Sequence, residues 1–216
     1  MFLRQLVEKV AKDPDRVCET LAREYGSLPS ALDADARDLA LSLPGEARAA
    51  SLLSLIRHTA RYIQLEAFGQ HPALSSAARA MEFVKALYVD AFYERCCLIC
   101  LDARFRMIRY SMMARGSITE VNFYHRQIAE EALRSGSAYV IVAHNHPSGM
   151  LQFSLQDLQS TGQAARQLSA LGVTLLDHIL TANGDTYSLR QSGLMNPEQW
   201  GGEPEAAQAV RAWMKA

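Results

Sequence analysis

Two histidines one residue apart, His144 and His146, stand in the stretch AHNHPSGMLQFSLQD, and Asp157 follows eleven residues after the second. In an extended segment, residues i and i+2 project to the same side, so the two imidazoles face one way. Two neutral imidazoles and one carboxylate make a ligand set for Zn²⁺ that leaves a fourth position for water. Water held there has its pKa lowered toward about 7 and becomes a nucleophile. The same donor set also serves non-haem iron. Two histidines in a polar turn are the plain alternative. Ser154 and Asp157 have such an explanation too, because Ser-x-x-acid is a helix-capping pattern and an acid is stabilising in the first turn of a helix.

These residues need elements to hold them. SAYVIVA, just upstream, is a continuous apolar run, as expected of a strand covered on both faces. It ends near Ala143, and α/β proteins build their sites past such strand ends. Ser154 then reads as the N-cap of a long helix, LQDLQSTGQAARQLSALG, stopped by Gly172. Upstream, CCLICLD and MIRYSMM read as two strands joined by ARFR. Tyr124 to Gly136 reads as a helix with Ile128, Ala132 and Leu133 inward. VTLLDHILTA and TYSLR flank Asn183-Gly184-Asp185, a hairpin turn signal. The order β-β-α-β-α-β-β predicts an α/β domain with a mixed sheet flanked by helices. Before it, SSAARAMEFVKALYVDAFYE reads as one helix ending near Tyr93.

The first 70 residues carry helical periodicity and no strand signal, which predicts a small all-α domain. Leu6, Val10, Val17 and Leu21 mark its first apolar faces. Further helices are expected over Asp33 to Leu43 and from Glu46 to about Leu65. Phe68 to Ser76, with Gly, Pro and Ser together, reads as a linker. The expected divisions are therefore 1–70, 75–194, and a tail, 195–216. In the tail, Val210, Trp213 and Met214 share one face of a short helix that must dock on the body or on a partner.

The 216 residues have average globular composition and a net charge of −1. That balance gives no global electrostatic case for nucleic acid or an acidic membrane. Apolar runs are too short to cross a bilayer, and MFLRQLVEKVAKD has no signal-peptide core, so a cytoplasmic protein is expected. Of Cys18, Cys96, Cys97 and Cys100, the pair Cys97/Cys100 has C-x-x-C spacing. It lies on a strand pattern, where residues three apart diverge, so apolar packing is expected instead of metal binding.

H-x-H, seven residues, Ser, two residues, Asp resembles the motif of the JAB/MPN metalloproteases, also called JAMM. His144, His146, Ser154 and Asp157 match it position for position. AHNHPSG and LLDHI, Leu175 to Ile179, are similar to the bacterial RadC-like branch, and the resemblance covers roughly Leu74 to Leu194. It implies Zn²⁺ on His144, His146 and Asp157, and zinc-dependent hydrolysis of a peptide or isopeptide-like bond in a peptide or protein substrate. It further implies Glu94, in ERCCLICLD, as general base, and Ser154 as the residue that hydrogen-bonds the oxyanion. By its residue alone, Glu94 would be a surface group at a helix end. Two departures stand out. The family's His-Pro-Arg-Glu is here Tyr124, His125, Arg126, Gln127, which implies one fewer polar contact near the site. Its Pro before the motif serine is Phe153, which puts a bulky group at the cleft rim.

A different class of function is a DNA-associated repair or recombination accessory protein whose metal fold is structural or binds partners. The N-terminal region resembles the same family, where a helix-hairpin-helix-like element carries a Gly-h-Gly turn. This chain has Leu43-Pro44-Gly45-Glu46, one glycine with an acid inserted. Residues 1–80 hold ten Lys/Arg and ten Asp/Glu, so DNA binding is not expected. Arg104, Arg106, Arg109 and Arg115 around the first hairpin could meet phosphates, although a solvated hairpin is the more frequent explanation of such a cluster. Asp177-His178 is kept in the family. Adjacent strand residues face apart, so at most one can reach the site, as a partner of a ligand or in a structural pairing. His58 and His71 have no evident partners in sequence.

Overall fold

The structure, a computed structural model, describes residues 2–34, 36–89, 91, 93–113, 121–195 and 204–215. It divides into two compact units, Met1–Glu66 with Val89–Phe92, and Ala67–Tyr88 with Tyr93–Ala216.

The first unit is helical. It holds α1 (Phe2–Val7), α2 (Pro14–Tyr25), α3 (Leu28–Asp33), α4 (Ala36–Ser42) and α5 (Ala47–Glu66). Val7, Val17, Leu21, Ala31, Leu39, Leu43, Ala49, Ala50 and Leu53 form its buried core. Asp13 and Ser27 cap α2 and α3, each accepting a backbone N–H three residues on, with proline in the first turn of both helices. The helix expected around Asp33 to Leu43 is α4, which starts at Ala36 because Ala34, the C-cap of α3, is extended at ψ 141°. Glu46, the acid in the turn before α5, is buried. Its carboxylate accepts the N–H groups of Lys12 (2.8 Å) and Asp13 (3.0 Å) at the start of α2.

The second unit is built on a five-stranded mixed sheet in the order β2-β1-β3-β4-β5. Its strands are β1 (Cys96–Leu101), β2 (Met107–Met112), β3 (Tyr139–Asn145), β4 (Thr174–Ala182) and β5 (Asp185–Ser188). β3 and β4 are parallel, and the other pairs are antiparallel. α6 (Ala77–Leu87) precedes the sheet, α7 (Val121–Ser135) links β2 to β3, and α8 (Leu155–Ala170) is the crossover from β3 to β4. A core of Leu98, Cys100, Val140, Val142, Leu175 and Leu180 on the sheet meets Ile128 and Ala132 of α7 and Ala164, Ala165 and Leu168 of α8. Burying each Leu, Ile or Val among them stabilises by roughly 1.5–3 kcal/mol, and Leu168 with Ala164 and Ala165 seats α8 on the sheet.

Three boundaries differ from expectation. α6 stops at Leu87 instead of running on to Tyr93. Tyr88 ends it by turning its ring into the core and donating its hydroxyl to the Ala143 carbonyl at 2.8 Å. The stretch Phe68–Ser76 is fastened to the body instead of linking. Met107 N–H donates to the Pro72 carbonyl, Leu74 N–H to that of Phe105, and His71 Nδ1 contacts the Met107 carbonyl at 3.0 Å. The tail forms α9 (Pro204–Lys215), and Trp213 buries its ring and donates Nε1–H to the Leu74 carbonyl at 2.7 Å. Met214 lies on the exposed side, so only Val210 and Trp213 dock.

Candidate metal centre

β3 delivers the first histidine. Val140, Val142 and His144 alternate onto the face that α8 covers, so His144 is buried at the end of the strand. His146 follows in the loop, held by its N–H to the Thr181 carbonyl at 3.0 Å. Asp157 comes from the first turn of α8. Ser154 is the N-cap, and the reciprocal capping box is complete: Ser154 Oγ accepts Asp157 N–H at 3.1 Å, while Asp157 Oδ2 accepts Ser154 N–H at 2.7 Å. Ser154 Oγ–H also donates to Oδ2 at 2.6 Å. His144 Nε2 lies 3.5 Å from Asp157 Oδ1, and His146 Nε2 lies 3.7 Å from Oδ2. Among the described residues, these three side chains form a group able to hold a metal ion.

The chemistry of the donors fits a cation. His146 Nδ1 lies 2.9 Å from the Met150 carbonyl. A carbonyl has no proton to give, so Nδ1 carries the hydrogen and Nε2 of the neutral ring is bare. That atom faces His144 Nε2 at 3.0 Å, with a carboxylate beside both. Burial lowers the His144 pKa to about 4; Asp157 opposes that shift and His146 adds to it. The two Nε2 atoms thus converge on one point beside a carboxylate, the arrangement that a divalent ion bound by nitrogen and oxygen requires.

Asn145 faces the other way and reaches the segment before β1. Its Oδ1 accepts Arg95 N–H at 2.8 Å, and its Nδ2 donates to the Tyr93 carbonyl at 3.0 Å. Glu94 sits between those two peptide groups. It is exposed, yet partial burial raises its carboxyl above the ordinary value, with His146 lowering it and Asp157 raising it further. Glu94 is therefore within electrostatic reach of the His146/Asp157 side of the group.

Of the Asp177-His178 pair, His178 faces the site. The β3–β4 register slips once. Val140 pairs with Leu175 and Ile141 with Asp177, leaving Leu176 as an extra residue. The slip exchanges the faces of the residues that follow, so His178 turns inward and its Nε2 lies 2.7 Å from His144 Nδ1. Arg190 steadies this bulge by donating Nε–H to the Leu176 carbonyl and Nη2–H to the Leu175 carbonyl, the latter at 2.8 Å. Asp177, fully buried on the opposite side, accepts the N–H groups of His178 and Arg190 and the Ser188 hydroxyl.

Phe153 corrects its expected place at the cleft rim. It is buried, with its ring 5.7 Å from His144 and 5.0 Å from His178, because the apolar pocket under the loop takes it in. His125 is buried and its Nε2 meets Ser160 on α8 at 3.0 Å from the carbonyl and 3.1 Å from Oγ, so a polar contact between α7 and α8 is present. The side chain of Tyr124 lies outside the described residues. Arg109 pairs with Glu131 at 2.9 Å and is thereby engaged within the unit; Arg115 lies outside the described residues. The four cysteines are thiols outside any disulfide, with Cys97 and Cys100 buried in the sheet. Asn145 and Thr161 were not singled out in sequence. The signal for Asn145 was its position between the two histidines, where strand alternation turns it to the opposite side. Thr161 lies one helical turn beyond Asp157.

Among the described residues, no helix is long and apolar enough to cross a membrane. Residues 74–194 match the family of RadC-like JAB domains. The chain is 34% identical over 194 residues to a UPF0758 protein of Cupriavidus pinatubonensis, covering 89% of this chain and 84% of that one. It is 32% identical over 176 residues to a UPF0758 protein of Bordetella petrii, covering 81% and 78%. A UPF0758 protein of Thiobacillus denitrificans is 32% identical over 174 residues, covering 80% and 77%. With more than half its length matched, and its two histidines and aspartate gathered where the sheet ends, the chain belongs to the RadC-like JAB domain family.

Proposed function

We propose that His144, His146 and Asp157 hold one Zn²⁺ and that the domain hydrolyses a peptide or isopeptide-like bond, with Glu94 as general base. The observation that carries this reading is the pair of Nε2 atoms 3.0 Å apart beside the Asp157 carboxylate. Bound zinc supplies Lewis-acid polarisation of a carbonyl and acidifies water.

The protein's own groups account for the rest. Ser154 N–H and Oγ–H hold Asp157 Oδ2 from one side and so fix the carboxylate plane. Glu94, raised by partial burial, is suited to accept a proton from attacking water and return it to the leaving nitrogen. Ser154 keeps its N–H on Asp157 when its hydroxyl rotates, which frees one O–H donor for an oxyanion. Phe153 shields His144 and His178 from bulk water beneath the site.

The test is metal analysis of purified full-length protein, expected at about one Zn²⁺ per chain. His146→Ala should abolish occupancy with helix content unchanged. Glu94→Gln should keep zinc and lose roughly 10²–10⁴-fold in hydrolysis of peptide-like substrates. Stoichiometric zinc in His146→Ala would sink the ligand assignment; metal loss in Glu94→Gln would make Glu94 a ligand.

A further inference from the structure

We propose that Thr161 is a positioning residue that fixes the tautomer of His144 through His178, presenting Nε2 of His144 bare toward the metal position before any ion arrives. The inference rests on the reading of His144 as a ligand and extends it to two residues with no assigned role.

The polarity of the chain of contacts follows from a single carbonyl. Thr161 Oγ1 lies 2.5 Å from the backbone carbonyl of Asp157, one turn back along α8. The carbonyl can only accept, so the threonine hydroxyl spends its one hydrogen there. Thr161 Oγ1 also lies 2.6 Å from His178 Nδ1. With its hydrogen committed, the hydroxyl can only accept from that nitrogen, and His178 carries its proton on Nδ1. Nε2 of the neutral His178 ring is then an acceptor, 2.7 Å from His144 Nδ1. His144 must therefore donate from Nδ1, which leaves its Nε2 without hydrogen. The circuit closes on the residue where it starts, because that Nε2 lies 3.5 Å from the carboxylate of Asp157.

Among the described residues, the one further contact of His144 Nε2 with a ring nitrogen is His146 Nε2 at 3.0 Å. The His146 Nδ1 hydrogen is committed to the Met150 carbonyl, so neither Nε2 of the neutral rings supplies a hydrogen to the other and the order above stands. Thr161, His178 and His144 are all buried. Phe153 covers the imidazoles with an aromatic ring, which supplies no conventional donor or acceptor. The acid adjacent in sequence, Asp177, is turned to the opposite face by the bulge at Leu176 and engages Ser188 and Arg190. A ligand histidine whose other nitrogen is anchored needs no proton shift when the ion binds, and such anchoring contributes about 10–100-fold to metal affinity.

The experiment uses the metal-free full chain labelled with ¹⁵N-histidine, with long-range ¹H–¹⁵N spectra at neutral pH assigned by single-histidine variants. The expected result is a proton on Nδ1 and a bare Nε2 in both His144 and His178. Thr161→Val keeps the shape but removes the hydroxyl; it should mix the tautomers of both rings and weaken zinc binding about 10–100-fold. Thr161→Ser should restore both. A wild-type spectrum with the proton on Nε2 of His144 overturns the proposal, whatever the variants do. So does Thr161→Val with wild-type tautomers and wild-type zinc affinity. Should Thr161→Val fail to fold, the wild-type spectrum and Thr161→Ser still decide. A wild type with the stated tautomers that binds no zinc upholds the relay and overturns the zinc reading, so the two failures are distinct.

Discussion

Asn145 closes on both peptide groups that flank Glu94, accepting Arg95 N–H through Oδ1 and donating Nδ2–H to the Tyr93 carbonyl. The residue between the two histidines thus ties the carboxylate's segment to the strand that carries His144. Strand alternation makes this economical, since one three-residue stretch reaches the candidate ligands on one side and the Glu94 segment on the other.

Asn145→Ala should therefore separate positioning from metal binding. It removes the two hydrogen bonds that tie Tyr93 and Arg95 to β3, at a cost of about 1–3 kcal/mol. Zinc content should stay at the wild-type level, because Asn145 presents no ligand atom to the site. Chemical denaturation together with metal analysis checks both. Wild-type stability would show that the clasp is dispensable, and zinc loss would show that Asn145 supports His144 or His146 directly.

Gly149 is a second point of control. Its φ is +82°, and a Cβ there would stand 2.6 Å from Asn183 Nδ2 at the tip of the β4–β5 hairpin. Asn183 Nδ2 also donates to the Gly149 carbonyl at 3.3 Å. Gly149→Ala combines left-handed strain with a clash, which costs about 1–3 kcal/mol. The loop between His146 and Met150 should shift, loosening the carbonyl that orients His146 and weakening zinc binding. Zinc titration of the variant beside wild type tests this. Unchanged affinity with an unchanged unfolding midpoint would mean that the hairpin tip yields freely.

The grouping of His144, His146 and Asp157 was legible because its determinants are local: two histidines at period two past an apolar strand, and an acid three residues after a helix cap. The mixed sheet was legible for the same reason, from apolar runs punctuated by turns. What escaped depends on contacts distant in sequence. Which of Asp177 and His178 faces inward is decided by one extra residue, Leu176, in the pairing with β3. Thr161 in a helix interior carries no sign that a histidine from β4 lies beside it. Tyr88 ends α6 for a carbonyl 55 residues away. The burial of Phe153 also depends on later elements, because the pocket that receives its ring is made by His178 and Tyr187.

Glu46 gives a prediction for the helical unit. Its carboxylate is buried and accepts the N–H groups of Lys12 and Asp13. The acid in the turn thus does structural work at the start of α2. Glu46→Ala would leave those two donors unmatched and should cost about 2–4 kcal/mol. Thermal or urea unfolding measures it; a change below about 0.5 kcal/mol would show that water replaces the carboxylate. With charges balanced across this region, duplex DNA should bind only at about 10⁻⁴ M or weaker at physiological salt. Micromolar binding with a steep salt slope would contradict that.

Asp177 supplies the pH dependence. The carboxyl is fully buried, and burial raises its pKa from 3.8 to about 6; Ser188, Arg190 and the His178 N–H oppose the shift. A folded-state pKa above the unfolded one means that the native chain binds more protons between those values. The group's contribution to stability is therefore complete below about pH 4 and lost as pH rises through about 6. At 1.36 kcal/mol per unit, the loss is about 3 kcal/mol between pH 4 and pH 7. Asp177→Asn keeps the acceptor for the His178 and Arg190 N–H groups, and its amide can donate to Ser188 Oγ, but it does not titrate. Its absolute stability also reflects Arg190 losing a nearby carboxyl, so the informative quantity is the difference from wild type at each pH. That difference, wild type minus variant, should fall by about 3 kcal/mol from pH 4 to pH 7 in metal-free urea unfolding series. A difference that rises with pH would mean that Arg190 and the three donors outweigh burial and hold Asp177 ionised. Asp177 and Arg190 would then act as an ion pair bracing the bulge that turns His178 toward His144.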